Sequence, residues 1–225
     1  MSGVLIYSEK EAKRNTFAIN KFKEELGVTL AIDDYDGTEK FEKKGIRVCN
    51  PSSLSKLANN KQLCYEFMEK NSIEILPINY KEVPAVKKPI DGHGGQGVVM
   101  INEKESFESG FVYQKPCATL GKDLRVWAIG NDIITSILRE SDTDFRSNFC
   151  LGGRATPYKM NEEEKSLVKR ILSLVESDYI GIDFLFDGGH LIFNEIEDTV
   201  GARMVYDKTD IDIIKLYCDY IKKNI

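Results

Sequence analysis

The sequence predicts an α+β fold, in which antiparallel hairpins are combined with amphipathic helices. One hairpin is indicated by apolar strands over 122–129 and 132–138, which flank a Gly-Asn turn. A second is indicated by the apolar runs 182–186 and 190–196, which flank a Gly-Gly pair. Between them, apolar residues at helical spacing over 161–177 predict an amphipathic helix.

Shorter elements precede these features. Strands over 4–7 and 28–32 flank a helix over 10–26, which Ser8 can cap and Gly27 can end, so a small α/β lobe is expected. The other predicted elements are a loop over 33–44, a strand over 46–49, a short helix capped by Ser52 or Ser53, a helix over 59–69, strands over 86–88, 98–101 and 111–115, and a final helix over 210–221.

Composition narrows the class of protein. The chain has 225 residues, 42% hydrophobic and 30% charged, which is typical of a globular protein with a sizeable core. Its net charge of −5, with no long basic run, argues against a nucleic-acid partner. Five scattered cysteines without a CxxC pair favour reduced thiols and the cytoplasm. Neither a signal peptide nor a membrane span is indicated.

Three acids in the second hairpin predict a metal site. Glu195 and Glu197 share one face of their strand, because side chains alternate along a strand. A three-residue loop, Gly188-Gly189-His190, would pair Asp183 with Glu195 and bring all three carboxylates to that face, so this register is predicted. Such a cluster repels itself unless a hard cation such as Mg²⁺ is bound. The alternative is an acidic hairpin face turned to solvent.

A glycine-rich stretch predicts a phosphate cradle. Lys88 and Pro89 run into GHGGQG, whose glycines let the backbone approach a ligand closely with its N–H groups exposed. The stretch is not a P-loop, since GxxxxGK[ST] is absent and a strand follows. A glycine-rich hairpin tip without a ligand is the alternative interpretation.

Two arginines and a lysine complete the set of candidate residues. Arg125 and Arg139 lie on strands among apolar neighbours, and partly buried arginines usually meet carboxylates or phosphates. Lys61 lies at the start of a helix, and its position alone favours an ordinary surface lysine. Glycine loop, cations and acids together are what nucleoside triphosphate chemistry requires.

These motifs carry a resemblance to a known superfamily. The ordered set VKKPIDGHGGQGV, DLRVWAIG, an arginine followed by DFRSN and GG, and GIDFLF…FNEIE resembles the ATP-grasp superfamily. The nearest groups are the RimK-type glutamate ligases and the bacterial glutathione synthetases. The similarity runs from about residue 50 to about residue 205. It implies that ATP lies between two α+β lobes, a central lobe (51–115) and a C-terminal lobe (116–225). A reduced N-terminal α/β lobe (1–50) precedes them.

The resemblance also implies roles for individual residues. ATP would be bound by Lys61, Lys88, Gly92, His93, Gly94, Gly95, Gly97, Gln114, Lys115, Pro116, Asp123 and Leu185. Mg²⁺, with Mn²⁺ as an alternative, would be bound by Asp183, Glu195 and Glu197. Catalytic charge would come from Arg125, Arg139, Arg154 and Arg203. The implied reaction activates a small-molecule or peptide carboxylate as an acyl phosphate, which an amine attacks. A regulatory ATP-binding module or a small-molecule kinase of the same fold is the other hypothesis.

Three features depart from the family pattern. Relatives usually have Glu-x-Asn where this chain has Glu195-Ile-Glu197. DTVGARM replaces the usual turn of a small residue, Pro and Gly, so that Arg203 would either enter the acceptor region or pair with Asp198. The N-terminal lobe is about half the family norm, so a homo-oligomer or a partner chain is a candidate for completing the substrate site.

Overall fold

The computed structural model divides the chain into two units. One unit comprises 1–52 with 201–225, and the other comprises 53–200. This division does not test the lobe boundaries expected from the sequence, which stay a prediction. The residues that the structure describes are 3–32, 38–92, 94–104, 106–147 and 153–224.

The first unit joins the two ends of the chain. Its elements, numbered in chain order, are β1 (Val4–Tyr7), α1 (Glu9–Arg14), α2 (Thr16–Leu26), β2 (Thr29–Ile32), α3 (Glu39–Glu42), α7 (Arg203–Lys208) and α8 (Ile213–Asn224). Strands β1 and β2 pair in parallel. Helix α2 packs on α8 through an edge-to-face contact of Phe22 with Tyr217, whose ring centroids are 6.0 Å apart. Tyr206 and Lys21 both bond Asp212, so the C-terminal segment is tied to α2.

Two predictions for this unit were wrong. The helix expected over 10–26 is two helices. Asn15 leaves the helical conformation, with φ −111° and ψ 21°, and its side-chain amide donates to the Glu11 carbonyl. The strand expected over 46–49 does not form. Instead, the N–H of Ile46 bonds the Phe41 carbonyl and closes the end of α3, within the predicted loop, beside a left-handed Gly45. The Ser8 cap and the Gly27 helix end are confirmed.

The second unit contains two antiparallel sheets. Its elements are α4 (Ser52–Ala58), α5 (Lys61–Lys70), β3 (Ala85–Pro89), β4 (Val99–Ile101), β5 (Phe111–Gln114), β6 (Thr119–Ile129), β7 (Asp132–Glu140), β8 (Arg154–Pro157), α6 (Glu162–Leu174), β9 (Tyr179–Asp187) and β10 (His190–Glu197). The strand orders are β4-β3-β5 and β10-β9-β6-β7-β8. Both predicted hairpins are confirmed, as β6–β7 and β9–β10.

Side-chain caps fix the ends of the main helices. Asn60 accepts the Leu63 N–H at the start of α5, and Asn161 forms a reciprocal capping box with Glu164 at the start of α6. Helix α6 has only 13 residues. None of the helices in the described part of the chain combines the length and apolar character needed to cross a bilayer.

The five-stranded sheet has one apolar face, which forms the core of the second unit. Leu124, Val126, Ile182 and Phe184 are fully buried there, and Phe184 meets Phe193 edge-to-face at 6.5 Å. Burying each such side chain stabilises the fold by about 1.5–3 kcal/mol. Because strand residues alternate, the opposite face receives the charged residues of the same strands.

The β9–β10 register differs from the predicted one in how it is achieved. The turn has two residues, Gly188 and Gly189, both at positive φ, and not the predicted three. Phe193 therefore pairs with Phe184, and a regular ladder would next pair Asp183 with Asn194. A β-bulge at Asn194 shifts the register by one residue, so that Asp183 pairs with Glu195 as expected.

Candidate active site

Charged residues of both signs form a row across the second face of the five-stranded sheet. Arg139 on β7 is the direct cross-strand partner of Asp123 on β6, and Arg125 on β6 is the partner of Asp183 on β9. Asp183 is in turn the partner of Glu195 on β10. Direct partners share a face, as do residues two apart on one strand, so the five side chains form one continuous charged row.

Asp183 lies at the centre of this row. The Arg125 Nε and Nη2 atoms donate to its two carboxylate oxygens at 2.7 and 2.6 Å, and Arg139 Nη2 donates to Oδ2 at 2.8 Å. Asp183 is 2% exposed. Burial alone would raise its pKa, but Arg125 and Arg139 outweigh burial and lower the pKa to about 2. Asp183 is therefore anionic throughout the physiological range.

Each arginine also binds a second acid. Arg139 donates to both carboxylate oxygens of Asp123, and Arg125 donates to Glu197. Burial raises the pKa of Asp123, against the opposing effect of Arg139. Burial also raises the pKa of Glu197 to about 7, where Arg125 opposes it and the charge of Asp183 adds to it.

The predicted acid cluster is confirmed as a geometric fact. Asp183, Glu195 and Glu197 each offer a carboxylate oxygen, and these oxygens lie within 4.8 Å of one another. Carboxylate oxygens are the ligands that Mg²⁺ and Mn²⁺ prefer. The donor set therefore fits a hard divalent cation, and a ligand role for these residues stays a prediction.

Two buried lysines face the acids. Lys61, at 8% exposure, is not a surface lysine: its Nζ donates to the Gly92 carbonyl and lies 3.1 Å from Glu195 Oε2. Lys88 Nζ donates to Asn194 Oδ1 at 2.8 Å and to the Tyr65 hydroxyl at 3.1 Å. Burial lowers the pKa of Lys88 to about 8, with Glu195 opposing and Lys61 adding to the shift.

Several of these groups line one cleft. Predicted site residues that line it are Lys61, Lys88, Gly92, Gly95, Gln114, Lys115, Asp123, Arg139, Asp183, Leu185 and Glu195. Other predicted residues adjoin it through the chain or through contacts, namely Gly94, Gly97, Pro116, Arg125 and Glu197.

Three predicted residues are not brought into this cleft by the described contacts. Arg154 on β8 forms an exposed ion pair with Asp142, with 66% of its side chain accessible, because that strand end projects into solvent. Arg203 begins α7 in the other unit and is exposed. His93 lies outside the described residues.

The glycine loop closes one side of the cleft. Gly97 has φ +70°, and a Cβ there would stand 2.8 Å from Pro89 Cγ, so a larger residue is excluded. Arg146 Nη1 donates to the carbonyls of Gly95 and Val98 at 3.1 and 3.4 Å. Asp144 binds the same guanidinium through both its oxygens. Arg146 thus links the glycine loop to the segment after β7.

Part of the lining of the cleft is apolar. Leu76, Val86, Leu120 and Leu185 line it beside Gln114. The Lys115 N–H already donates to the Pro77 carbonyl, and Pro116 has no N–H to offer. These side chains can pack against a flat apolar group such as a purine base, and the cations and acids of the lining can bind a charged group.

Sequence reasoning missed three residues of the site. Asn194 and Tyr65 hold Lys88, and Arg146 holds the glycine loop. Arg146 stood in the DFRSN motif and could have been found there. Asn194 could not, because its position depends on a bulge that the hairpin pattern does not reveal.

Comparison with known proteins gives the family. The model of the RimK-like ATP-grasp domain matches residues 53–221. A probable alpha-L-glutamate ligase of Maridesulfovibrio salexigens is 30% identical over 153 residues, which cover 63% of this chain and 51% of that protein. Human N-acetylaspartylglutamate synthase A is 28% identical over 168 residues, covering 69% of this chain and 42% of that protein. The chain spans about half the length of these relatives.

Solved structures give the fold. D-cycloserine synthetase DcsG superposes with a TM-score of 0.72 at 11% identity over 99% of both chains. D-alanine–D-alanine ligase from Bacillus anthracis superposes with a TM-score of 0.71 at 14% identity, covering 99% of this chain and 95% of that one. The ATP-grasp ligase PsnB, in complex with Mg and ADP, gives 0.63 at 19% identity over 82% of this chain and 64% of that one. The predicted ATP-grasp fold is confirmed.

Proposed function

Because this chain belongs to the RimK-like ATP-grasp family, we propose that it is an ATP-dependent ligase that joins a carboxylate to an amine. The observation that carries the proposal is the convergence of Lys61, Lys88 and Arg139 with the Asp183–Glu195 pair in one cleft beside the glycine loop. No side-chain nucleophile is required, since positioning and electrostatics suffice for phosphoryl transfer.

The cleft supports a definite orientation of the nucleotide. Its apolar lining, with Leu185 and Gln114, suits the adenine ring. Lys61 and Lys88 supply cations for the phosphates, and Gly92–Gly97 offers a backbone that can approach them closely. Since Lys115 and Pro116 have no free N–H, their part in binding the base falls to carbonyl groups.

Asp183, Glu195 and Glu197 are proposed to hold Mg²⁺, with Mn²⁺ as the alternative. A bound divalent ion neutralises phosphate charge and polarises the transferred phosphoryl group. The charges of the chain are balanced before any ligand enters, since the acids Asp123, Asp183, Glu195 and Glu197 are matched by the cations Lys61, Lys88, Arg125 and Arg139. That balance favours the joint entry of nucleotide and metal over either alone.

The four arginines are assigned different tasks. Arg139 lines the cleft, which supports a role in stabilising charge on the reacting phosphoryl group. Arg125 binds Asp183 and Glu197, so it acts through these acids as a positioning residue. Arg154 and Arg203 remain proposals for the carboxylate and acceptor region, and Asp123 orients Arg139.

The proposed reaction has two steps. A carboxylate oxygen of the first substrate attacks the γ-phosphorus of ATP, and the bond to the β–γ bridging oxygen breaks to release ADP. The amine of the second substrate then attacks the resulting acyl phosphate, forming the amide and releasing phosphate. Relatives named as glutamate ligases support an amino acid or short peptide as substrate. The free thiols of Cys64, Cys117 and Cys218 support the cytoplasm as the compartment.

An ADP-release assay with a panel of amino acids and short peptides tests this function. We expect ADP to form only when Mg²⁺, a carboxylate donor and an amine acceptor are all present. ADP formed with a hydroxyl or carboxylate substrate alone, leaving a stable phosphorylated product, would indicate a kinase. Nucleotide binding without turnover under any pairing would indicate a regulatory module, and either result would overturn the ligase.

A further inference from the structure

The β-bulge in β10 places two consecutive side chains on the same side of the strand. In a regular strand neighbouring side chains point to opposite faces. Asn194 lies at the register shift between Phe193 and Glu195, and both Asn194 and Glu195 line the cleft. Bulges commonly re-aim side chains beside active sites. This one adds an amide to the charged face without displacing any of the acids.

The amide of Asn194 is directed at a buried cation. Its Oδ1 accepts from Lys88 Nζ at 2.8 Å, and Lys88 Nζ also donates to the Tyr65 hydroxyl at 3.1 Å. The three residues come from β10, β3 and α5, and Lys88 is 7% exposed. The ammonium group is thus held from two sides, while it still lines the cleft.

Both groups that hold Lys88 are neutral. A neutral acceptor stabilises an ammonium group without cancelling its charge, whereas a carboxylate would form an ion pair with it. The charged or titratable groups that influence Lys88 are Glu195 on β10, Lys61 on α5 and the Cys117 thiol. In the described part of the structure, Lys88 Nζ donates to Tyr65 and Asn194 and to none of these three groups.

We infer that Asn194 is a positioning residue of the nucleotide site, which aims the Lys88 ammonium group into the cleft and leaves its charge available to a phosphate group. The inference rests on the proposed function, because ATP supplies that phosphate. It also gives the bulge two roles: one brings Asp183 opposite Glu195, and the other supplies the neutral partner of Lys88.

The test is the dissociation constant of MgATP between pH 6 and 10, measured by calorimetry, for the wild type, Asn194→Asp and Asn194→Leu. We expect both variants to bind MgATP about tenfold more weakly or worse at pH 7.5. The aspartate would cancel the charge of Lys88 in an ion pair, and the leucine would remove the hydrogen bond that aims it. Their pH profiles should move in opposite directions. The carboxylate keeps Lys88 protonated to higher pH, and the leucine removes an acceptor and lets it deprotonate at lower pH. Asn194→Ser, which retains a neutral oxygen, should recover most of the affinity.

A matched control lies on the same strand. Lys87 is as buried as Lys88, and its Nζ bonds Glu108 at 2.6 Å. Glu108→Gln should therefore weaken a lysine contact of similar burial without changing MgATP affinity. Thermal unfolding confirms that each variant is folded, and Asn194→Ala replaces any variant that is not.

The outcomes separate the inference from the proposed function. If wild type binds MgATP and the Asp and Leu variants bind it within about threefold, with unshifted pH profiles, Asn194 has no positioning role. A loss of affinity in both variants with profiles shifted the same way would equally contradict the charge argument. If the wild type binds no nucleotide, the proposed function itself is wrong and the inference falls with it.

Discussion

Arg125 and Asp183 form a bidentate ion pair across neighbouring strands, with both donor–acceptor distances at or below 2.7 Å. The same carboxylate also accepts from Arg139. The residue proposed to bind metal is therefore already satisfied by two cations of the chain. A buried pair of this kind is costly to break by removing one partner, because the remaining charge is left uncompensated.

The first prediction concerns Asp183. Asp183→Asn should destabilise the protein by about 3–5 kcal/mol, since two buried guanidinium groups lose their shared carboxylate. Denaturant unfolding measures the change. Asp142→Asn is the matched control, because it breaks an arginine–aspartate pair whose side chains are 66% and 72% exposed, and it should have almost no effect. Equal effects of the two substitutions would show that the buried ion pairs of Asp183 contribute no more to stability than the exposed pair of Asp142.

The second prediction is that metal and nucleotide bind together. Because every acid of the cluster is engaged by a lysine or an arginine, Mn²⁺ alone should bind weakly, and ATP should tighten its binding by tenfold or more, about 1.4 kcal/mol. Electron paramagnetic resonance of free Mn²⁺ gives the affinity with and without ATP, independently of catalysis. Tight binding of Mn²⁺ without nucleotide would contradict the charge balance.

The third prediction follows from the lowered pKa of Lys88, about 8 against 10.5. Between these values the unfolded chain binds a proton that the folded chain has released, so stability should rise with pH across this window. Across the whole window, the shifted pKa of Lys88 changes the free energy of unfolding by about 3 kcal/mol. It is measured as the unfolding free energy of the wild type minus that of Lys88→Met, from pH 7 to 10.5. A difference that stays constant, or falls as pH rises, would show that Lys88 is not buried as a charged group.

The fourth prediction concerns the glycine loop. Arg146→Ala removes the guanidinium that binds Asp144 and the carbonyls of Gly95 and Val98, and that also lies 5.6 Å from the centroid of the Phe145 ring. Amide hydrogen exchange over 94–98 should become faster, because the free energy of local opening falls by the contribution of one or two hydrogen bonds, about 0.5–1.5 kcal/mol each. Exchange in β6, which lies outside this contact, is the internal reference. Unchanged exchange over 94–98 would mean that other contacts hold the loop.

Much of the architecture could be predicted from local patterns, and the failures have physical causes. The two hairpins and the helix that became α6 followed from turn residues and apolar spacing, which are local. The strand expected over 46–49 failed because the Ile46 N–H completes a helix end. The acids were placed together correctly, but for the wrong reason: the Gly188-Gly189 turn is tight, and Asn194 restores the register. A bulge depends on partners elsewhere in the fold, here Lys88 and Tyr65.

The site was predicted unevenly for the same reason. Lys88 was found because it leads through Pro89 into the glycine-rich stretch, and Arg139 because its apolar neighbours indicate burial. For Lys61 the local pattern favoured a surface lysine and only the family resemblance implied a site role, whereas the fold buries it beside Glu195 and the Gly92 carbonyl. Arg154 shows the converse, since its strand end carries it into solvent beside Asp142.

Isotope transfer from the substrate tests the central claim most directly. The carboxylate that supports ADP release is labelled with ¹⁸O in both oxygens, and the released phosphate is analysed by mass spectrometry. If the carboxylate attacks the γ-phosphorus and the amine then displaces phosphate, each phosphate carries one ¹⁸O atom from the substrate. Unlabelled phosphate, released at the same rate as the amide forms, would contradict an acyl phosphate and with it the proposed ligase mechanism.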